Sequence, residues 1–152
     1  MGKELAFFEG EIVPVDSAKV GIMTHALHYG TAVFEGIRGN WNPIKEKMFV
    51  FRLKEHYERL IKGCKILNMD INYSVQDLCN ITIDLIKASE YKEDIYIRPL
   101  AYKSEEKVAN LKLHELDSSF ALMIVPFGNY IDNEKPIRCQ TSSWRRPHDS
   151  MM

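Results

Sequence analysis

The residues best suited to chemistry in this sequence are arginines set beside aromatic residues or glycine. In Tyr96-Ile97-Arg98-Pro99-Leu100, alternation along an extended strand places Tyr96 and Arg98 on one face and Ile95 and Ile97 on the other. A guanidinium beside a phenol, among apolar neighbours, can clamp a carboxylate through two parallel N–H···O bonds. A surface ion pair on an edge strand is the competing reading, and Pro99 favours it because proline cannot donate to a ladder. The stretch Thr31-Ala32-Val33-Phe34-Glu35-Gly36-Ile37-Arg38-Gly39 follows the same alternation. Phe34, Gly36 and Arg38 share one face; Val33, Glu35 and Ile37 share the other. A strand glycine beside a large aromatic marks either close approach of a ligand or backbone, or a bulge. Arg52 stands where a strand gives way to a helix, and the unpaired N–H groups of a first helical turn suit a phosphate. Pairing with a nearby acid is the simpler alternative for Arg52.

Other chemistries are set aside. His25 and His28 stand three residues apart, but no third ligand follows and HExxH is absent, so they are read as histidines in a packed turn and no metal site is expected. There is no GxGxxG, P-loop or GxSxG. Cys64, Cys79 and Cys139 are odd in number and widely spaced, which argues for buried small hydrophobes in a reducing cytoplasm rather than disulfides. Lys plus Arg is 20 against 21 for Asp plus Glu, so neither nucleic acid nor an acidic membrane is an expected partner. The longest late apolar run, residues 120–127, is strand-sized and too short to span a bilayer.

The elements that must position these residues can be read from periodicity. Residues 5–8 and 12–15 flank a Gly-containing turn and form a hairpin. Residues 31–41 read as one strand and 48–51 as another. Residues 53–68 are a helix with Tyr57, Leu60, Ile61, Cys64 and Leu67 on one face, and with Glu55 placed to pair with Arg59. A second helix starts at the N-cap Ser74, with Val75, Leu78, Cys79, Thr82, Leu85 and Ile86 inward and Asp77 near its positive end. Residues 95–102 and 120–125 return to strand, 137–140 form a short further strand, and the charged stretch 103–116 is a solvated loop or short helix. Strands, two helices, then strands imply an α+β class: an antiparallel sheet with two helices packed on one side.

Taken together the motifs go further. His25-Ala26-Leu27-His28-Tyr29-Gly30-Thr31-Ala32-Val33-Phe34-Glu35-Gly36-Ile37-Arg38, then Phe51-Arg52-Leu53-Lys54-Glu55-His56-Tyr57-Glu58-Arg59-Leu60, then Tyr96-Ile97-Arg98-Pro99-Leu100 occur in the order and spacing of a known family. With Ser142-Ser143-Trp144-Arg145-Arg146, they resemble the branched-chain amino-acid aminotransferases. These are fold type IV pyridoxal-phosphate enzymes of the D-amino-acid-aminotransferase-like group.

The resemblance implies roles. Arg52 matches the arginine for the cofactor phosphate. Phe34, Tyr96 and Arg98 match substrate-pocket residues, with Arg98 suited to the distal carboxylate of glutamate. Tyr29, Gly36 and Arg38 match the pocket wall, Tyr29 reaching the partner subunit's site. Tyr130, in Phe127-Gly128-Asn129-Tyr130, matches a loop residue that closes over the substrate. Residues 1–126 would be the small α+β domain, and 127–152 the interdomain loop and truncated start of the large cofactor domain. The parent would move the amino group of leucine, isoleucine or valine to 2-oxoglutarate through pyridoxal phosphate. It would be a cytoplasmic homodimer or higher homo-oligomer acting on amino acids and 2-oxo acids. The catalytic lysine is expected beyond Met152, so the isolated chain is expected to be inactive and not to hold the cofactor covalently. A non-catalytic fragment or binding module with a vestigial anion pocket is one alternative. A D-amino-acid aminotransferase or aminodeoxychorismate lyase relative is another.

Overall fold

The computed structural model describes residues 2–128, 136–146, 148 and 150. Seven strands form one antiparallel sheet: β1 (Leu5–Phe8), β2 (Glu11–Pro14), β3 (Ala32–Phe34), β4 (Ile37–Asn42), β5 (Lys47–Val50), β6 (Ile95–Lys103) and β7 (Ser118–Pro126). The order runs β2-β1-β7-β6-β4-β5, with β3 also on β6. β6 and β7 pair along their full length, from Ile95 opposite Pro126 to Lys103 opposite Ser118. β6 is therefore an inner strand, which removes the edge-strand reading of Arg98.

The single strand expected over residues 31–41 is two, and Pro99 is the reason. Phe34 lies opposite Leu100 and Ile37 opposite Ile97, so β3 and β4 keep one continuous register on β6. That register sets Glu35 against Pro99. Glu35 N–H donates to the Pro99 carbonyl (3.1 Å), and Pro99 has no N–H to return the bond. The ladder is interrupted there without a bulge.

Alternation divides the sheet into a covered and an open face. Ile95, Ile97 and Ala101 of β6, with Ile37, Leu122 and Ile124, are buried under α2 (Leu53–Ile66) and α3 (Val75–Ser89). The helices form where the periodicity places them. α3 opens with a reciprocal cap: Asp77 N–H donates to Ser74 Oγ (3.2 Å) and Ser74 N–H to Asp77 Oδ2 (2.9 Å). Tyr57 and Leu60 of α2, and Leu78, Thr82 and Leu85 of α3, are wholly buried. Removing a Leu or Ile side chain of this kind from water stabilises by roughly 1.5–3 kcal/mol. The Tyr57 hydroxyl donates to Thr82 Oγ1, which donates to the Leu78 carbonyl (2.8 Å), so the polar atoms between the helices are satisfied. Burial pushes the Tyr57 hydroxyl well above the ordinary phenol value. Gly63 lets α2 lie close on β3, since a Cβ there would stand 2.7 Å from Val33 Cγ1. On the open face the short α1 (His25–Tyr29), ended by Gly30 in the left-handed region, borders an apolar cleft of about 250 Å³ with Leu100 and Tyr102.

Several expectations need correction. Residues 137–140 form no strand. The hairpin's second strand ends at Pro14, and Val15 begins a 3-10 turn. Cys64 and Cys79 are buried, but Cys139 is exposed. Lys103 is not in a solvated loop: it ends β6 on the covered face, with Nζ donating to the carbonyls of Asn68 (2.6 Å) and Leu116 (2.8 Å). Glu55 pairs with Arg52 rather than Arg59. Among the described residues no helix is long and apolar enough to cross a membrane.

Candidate functional site

Five of the residues singled out in the sequence meet on the open face. β6 presents Tyr96 and Arg98; β3 presents Phe34, β4 presents Arg38, and Gly36 lies in the break between those two strands. Arg98 Nε and Nη2 both donate to Tyr96 Oη (3.1 and 2.6 Å), and the guanidinium carbon lies 4.3 Å from the centre of the Phe34 ring. Arg98 has no carboxylate partner among the described residues. Its charge is held by a phenol oxygen and a π face, both weaker anchors than an acid. An incoming carboxylate therefore displaces little. Gly36 is required for space: a Cβ there would stand 2.7 Å from Tyr96 Oη. The close-approach reading thus holds over the bulge, and the approaching group is the tyrosine. Arg38 is committed otherwise. Its Nη2 donates to Asp94 Oδ2 (2.9 Å), and it lies over the Phe127 ring, which is 5.3 Å from the Tyr96 ring. The Trp41 backbone N–H and then Arg38 hold the Asp94 carboxyl below the usual value.

A second group of charges sits at the start of α2. Arg52, Glu55, His56 and Arg59 share one helix face and, with Phe51, line a cleft of about 240 Å³. Arg52 is the N-cap, in the left-handed region at φ 51°, and its Nε donates to Glu55 Oε1 (2.8 Å). The pairing with an acid is thus present, and Arg52 stands at a helix start, where first-turn N–H groups lack helical partners. Arg59 and His56 reach inward to Glu35. Arg59 donates from Nε to Glu35 Oε1 and from Nη2 to Oε2, both at 2.5 Å, and His56 Nδ1–H donates to Oε2 (3.0 Å). The Glu35 side chain is 7% exposed and the Arg59 side chain 69%. Burial raises the Glu35 pKa, but the hydrogen bonds from Arg59 and His56 outweigh it, and the net shift is downward. The carboxylate is therefore ionised.

Glu35, His56 and Arg59 were missed as site residues in the sequence. The signal to be had was that alternation turns Glu35 inward, and a carboxylate turned into a core needs partners. Its partners come from another element, which no local pattern names.

Tyr29 joins neither group among the described residues: its hydroxyl accepts from Ala109 N–H (2.8 Å) and its ring stacks 4.4 Å from His25. His25 is buried, donating from Nε2 to the Asn110 carbonyl (2.8 Å) and accepting at Nδ1 from Thr31 (2.9 Å), while His28 binds the Ile22 carbonyl (2.8 Å). The two histidines thus hold a turn. Tyr130 lies outside the described residues. A larger apolar cleft of about 690 Å³ runs between β5 and α3, but it contains none of these groups.

Comparison with known proteins gives one consistent result. The model of the family described as amino-transferase class IV matches residues 32–151. A probable branched-chain-amino-acid aminotransferase of Aquifex aeolicus (strain VF5) is 47% identical over 147 residues, covering 97% of this chain and 47% of that protein. The crystal structure of the branched-chain aminotransferase of Thermoproteus uzoniensis with norvaline superposes with a TM-score of 0.90 at 39% identity, over 99% of this chain and 50% of that one. The branched-chain amino acid aminotransferase of Thermobaculum terrenum in its PLP-bound holo-form gives 0.74 at 30% identity, over 84% and 41%. The chain spans about half the length of the curated relatives it matches.

Proposed function

This chain belongs to the amino-transferase class IV family, and on that premise we propose that it is the small domain of a branched-chain aminotransferase with the start of its large one. The reading takes residues 1–126 as the small domain and 127–152 as the interdomain loop and first part of the large domain. The observation that carries it is the open-face group of Phe34, Gly36, Tyr96 and Arg98, apolar on its walls and cationic at one point. Such a wall accepts an aliphatic side chain against Phe34 and the Tyr96 ring. It also accepts the distal carboxylate of glutamate or 2-oxoglutarate at Arg98, which exchanges a phenol contact for a charge-assisted one. Tyr96 holds Arg98 in place between turnovers, and Gly36 leaves the room Tyr96 needs. Arg38, with Asp94, and Tyr29 border the same open face as wall residues, and Tyr130 is assigned to closing over the substrate.

The donor chemistry at the start of α2 fits the phosphate end of pyridoxal phosphate. Two guanidiniums, Arg52 and Arg59, face one cleft at a helix start with unpaired N–H groups. We assign the phosphate to both, where sequence alone pointed only to Arg52. Bound there, pyridoxal phosphate supplies the electron sink that lets an amino acid give up its α-proton. The chain's own residues bind and orient; none of the described lysines lines this cleft or joins the open-face group. On this reading residues 1–152 bind and orient, and alone they are expected not to transaminate. The open face bears exposed Leu27 and Phe34, apolar side chains suited to a homodimer contact. Free thiols suit a reducing cytoplasm.

The test is a graft: residues 1–152 replace the matching segment of the Aquifex aeolicus relative. Formation of glutamate from leucine and 2-oxoglutarate is expected of the graft and not of residues 1–152. A graft that prefers D-alanine, or cleaves aminodeoxychorismate, sinks the proposal.

A further inference from the structure

Glu35 occupies a place that none of the roles above uses. It follows Phe34 and precedes Gly36, so its backbone belongs to the substrate wall, while its side chain points the other way into the covered face. Its N–H is tied to Pro99, next to Arg98. Its carboxylate is tied to Arg59 and His56 on α2. One buried residue thus joins the strand of the substrate wall, the strand of Tyr96 and Arg98, and the helix carrying the phosphate cations.

We propose that Glu35 is a positioning residue for cofactor-phosphate binding: its carboxylate fixes the Arg59 guanidinium so that the free side of the fork faces the anion. The inference rests on the phosphate assignment made above. Arg59 spends its Nε–H and one Nη2–H on Glu35 in a bidentate fork. The remaining N–H groups are turned away from the carboxylate, and the side chain is largely exposed to the cleft shared with Arg52. Without the fork a long arginine side chain samples many rotamers, and ordering it on an anion costs side-chain entropy. With the fork that ordering is already done in the folded chain. His56 holds the same carboxylate from the next turn, so Glu35 cannot swing to follow Arg59.

Charge alone would act in the opposite sense. Glu35 is an anion near an anion site, so deleting its charge should tighten phosphate binding if charge alone matters. Positioning predicts the reverse. Inorganic phosphate is titrated into residues 1–152 and followed by the Nε–H resonance of Arg59 in a 15N spectrum. In the unaltered chain that resonance is expected to stay protected, because the fork persists, and to shift as phosphate binds. Glu35→Gln, folded by circular dichroism, should bind phosphate about tenfold more weakly, the scale of one lost charge-assisted bond. Arg59→Lys keeps the charge without the fork and should show a similar loss. The double variant should be no worse than either single one, since both remove the same fork. Binding in Glu35→Gln as tight as in the unaltered chain or tighter overturns the inference and leaves the phosphate assignment standing. An Arg59 resonance that ignores phosphate while Arg52 responds also overturns the inference and returns the phosphate to Arg52 alone. No phosphate response at either arginine overturns both. If Glu35→Gln does not fold, the unaltered chain's spectrum and Arg59→Lys, altered at an exposed side chain, still decide the matter.

Discussion

The covered and open faces of this sheet are cut from the same strands and carry opposite demands. On β6, Ile95, Ile97 and Ala101 are sealed beneath α2 and α3, while Tyr96 and Arg98 stand between them on the other side, half-buried and hydrogen-bonded to each other. On β3 and β4, Ile37 is sealed while Phe34 and Arg38 are exposed. The covered face is largely satisfied within the chain: apolar groups meet apolar groups, its charges, Glu35 and Lys103, have their partners, and Ser89 Oγ of α3 is buried without one. The open face holds a guanidinium on a phenol and a ring, with wall space kept by a glycine. The strand period of two thus assigns most of the chain's stability to one face and substrate recognition to the other, with Glu35 the residue that joins them.

Substitutions on the covered face should therefore dominate stability. Leu60→Ala, at a wholly buried site, is expected to cost about 2–5 kcal/mol in urea unfolding. Phe34→Ala, at a side chain 57% exposed, should stay within about 1 kcal/mol. Comparable losses for the two would break the division between faces. Lys103→Met should cost roughly 1–3 kcal/mol, because the Asn68 and Leu116 carbonyls lose their donor. An unchanged melting temperature there would show that water replaces the ammonium. The open face should answer in recognition instead. In the graft, Arg98→Ala is expected to lower kcat/KM for 2-oxoglutarate by at least about tenfold and to spare leucine more, with melting nearly unchanged. Equal losses for both substrates would move Arg98 from carboxylate recognition to general support of the wall.

What could be read from the sequence follows the range of the forces involved. Both helices, the Ser74 cap and the facing of Phe34, Gly36, Tyr96 and Arg98 rest on local periodicity and appeared as expected. The open-face group was legible because strand partners facing one way are brought together by register alone. The break at Glu35 was not, because it needs Pro99 to lie opposite, and that pairing spans 64 residues of chain (99 less 35). Lys103 looked like the start of a solvated run because its carbonyl partners lie on two distant segments. The Glu55–Arg59 pair failed for a similar reason: a buried carboxylate from another element outcompetes an exposed one four residues away.

The smallest expected effect compares one carboxylate from each face. Glu35 on the covered side and Asp94 on the open side both have lowered pKa values, Glu35 against burial through Arg59 and His56, Asp94 through Trp41 N–H and Arg38. A carboxylate whose folded value lies below its unfolded one adds stability that is fully present above the unfolded value, 4.5 for Glu35 and 3.8 for Asp94. That stability fades as pH falls through the lower folded value. Glu35→Gln and Asp94→Asn should each flatten the fall of melting temperature between neutral and strongly acidic pH. Salt distinguishes them. Asp94 is 35% exposed and its pair with Arg38 is open to solvent, so about 1 M salt should erase much of its share. Glu35 is sealed, and its share should survive the same salt. If both flatten equally and both respond to salt, the covered face is wetter than its packing implies.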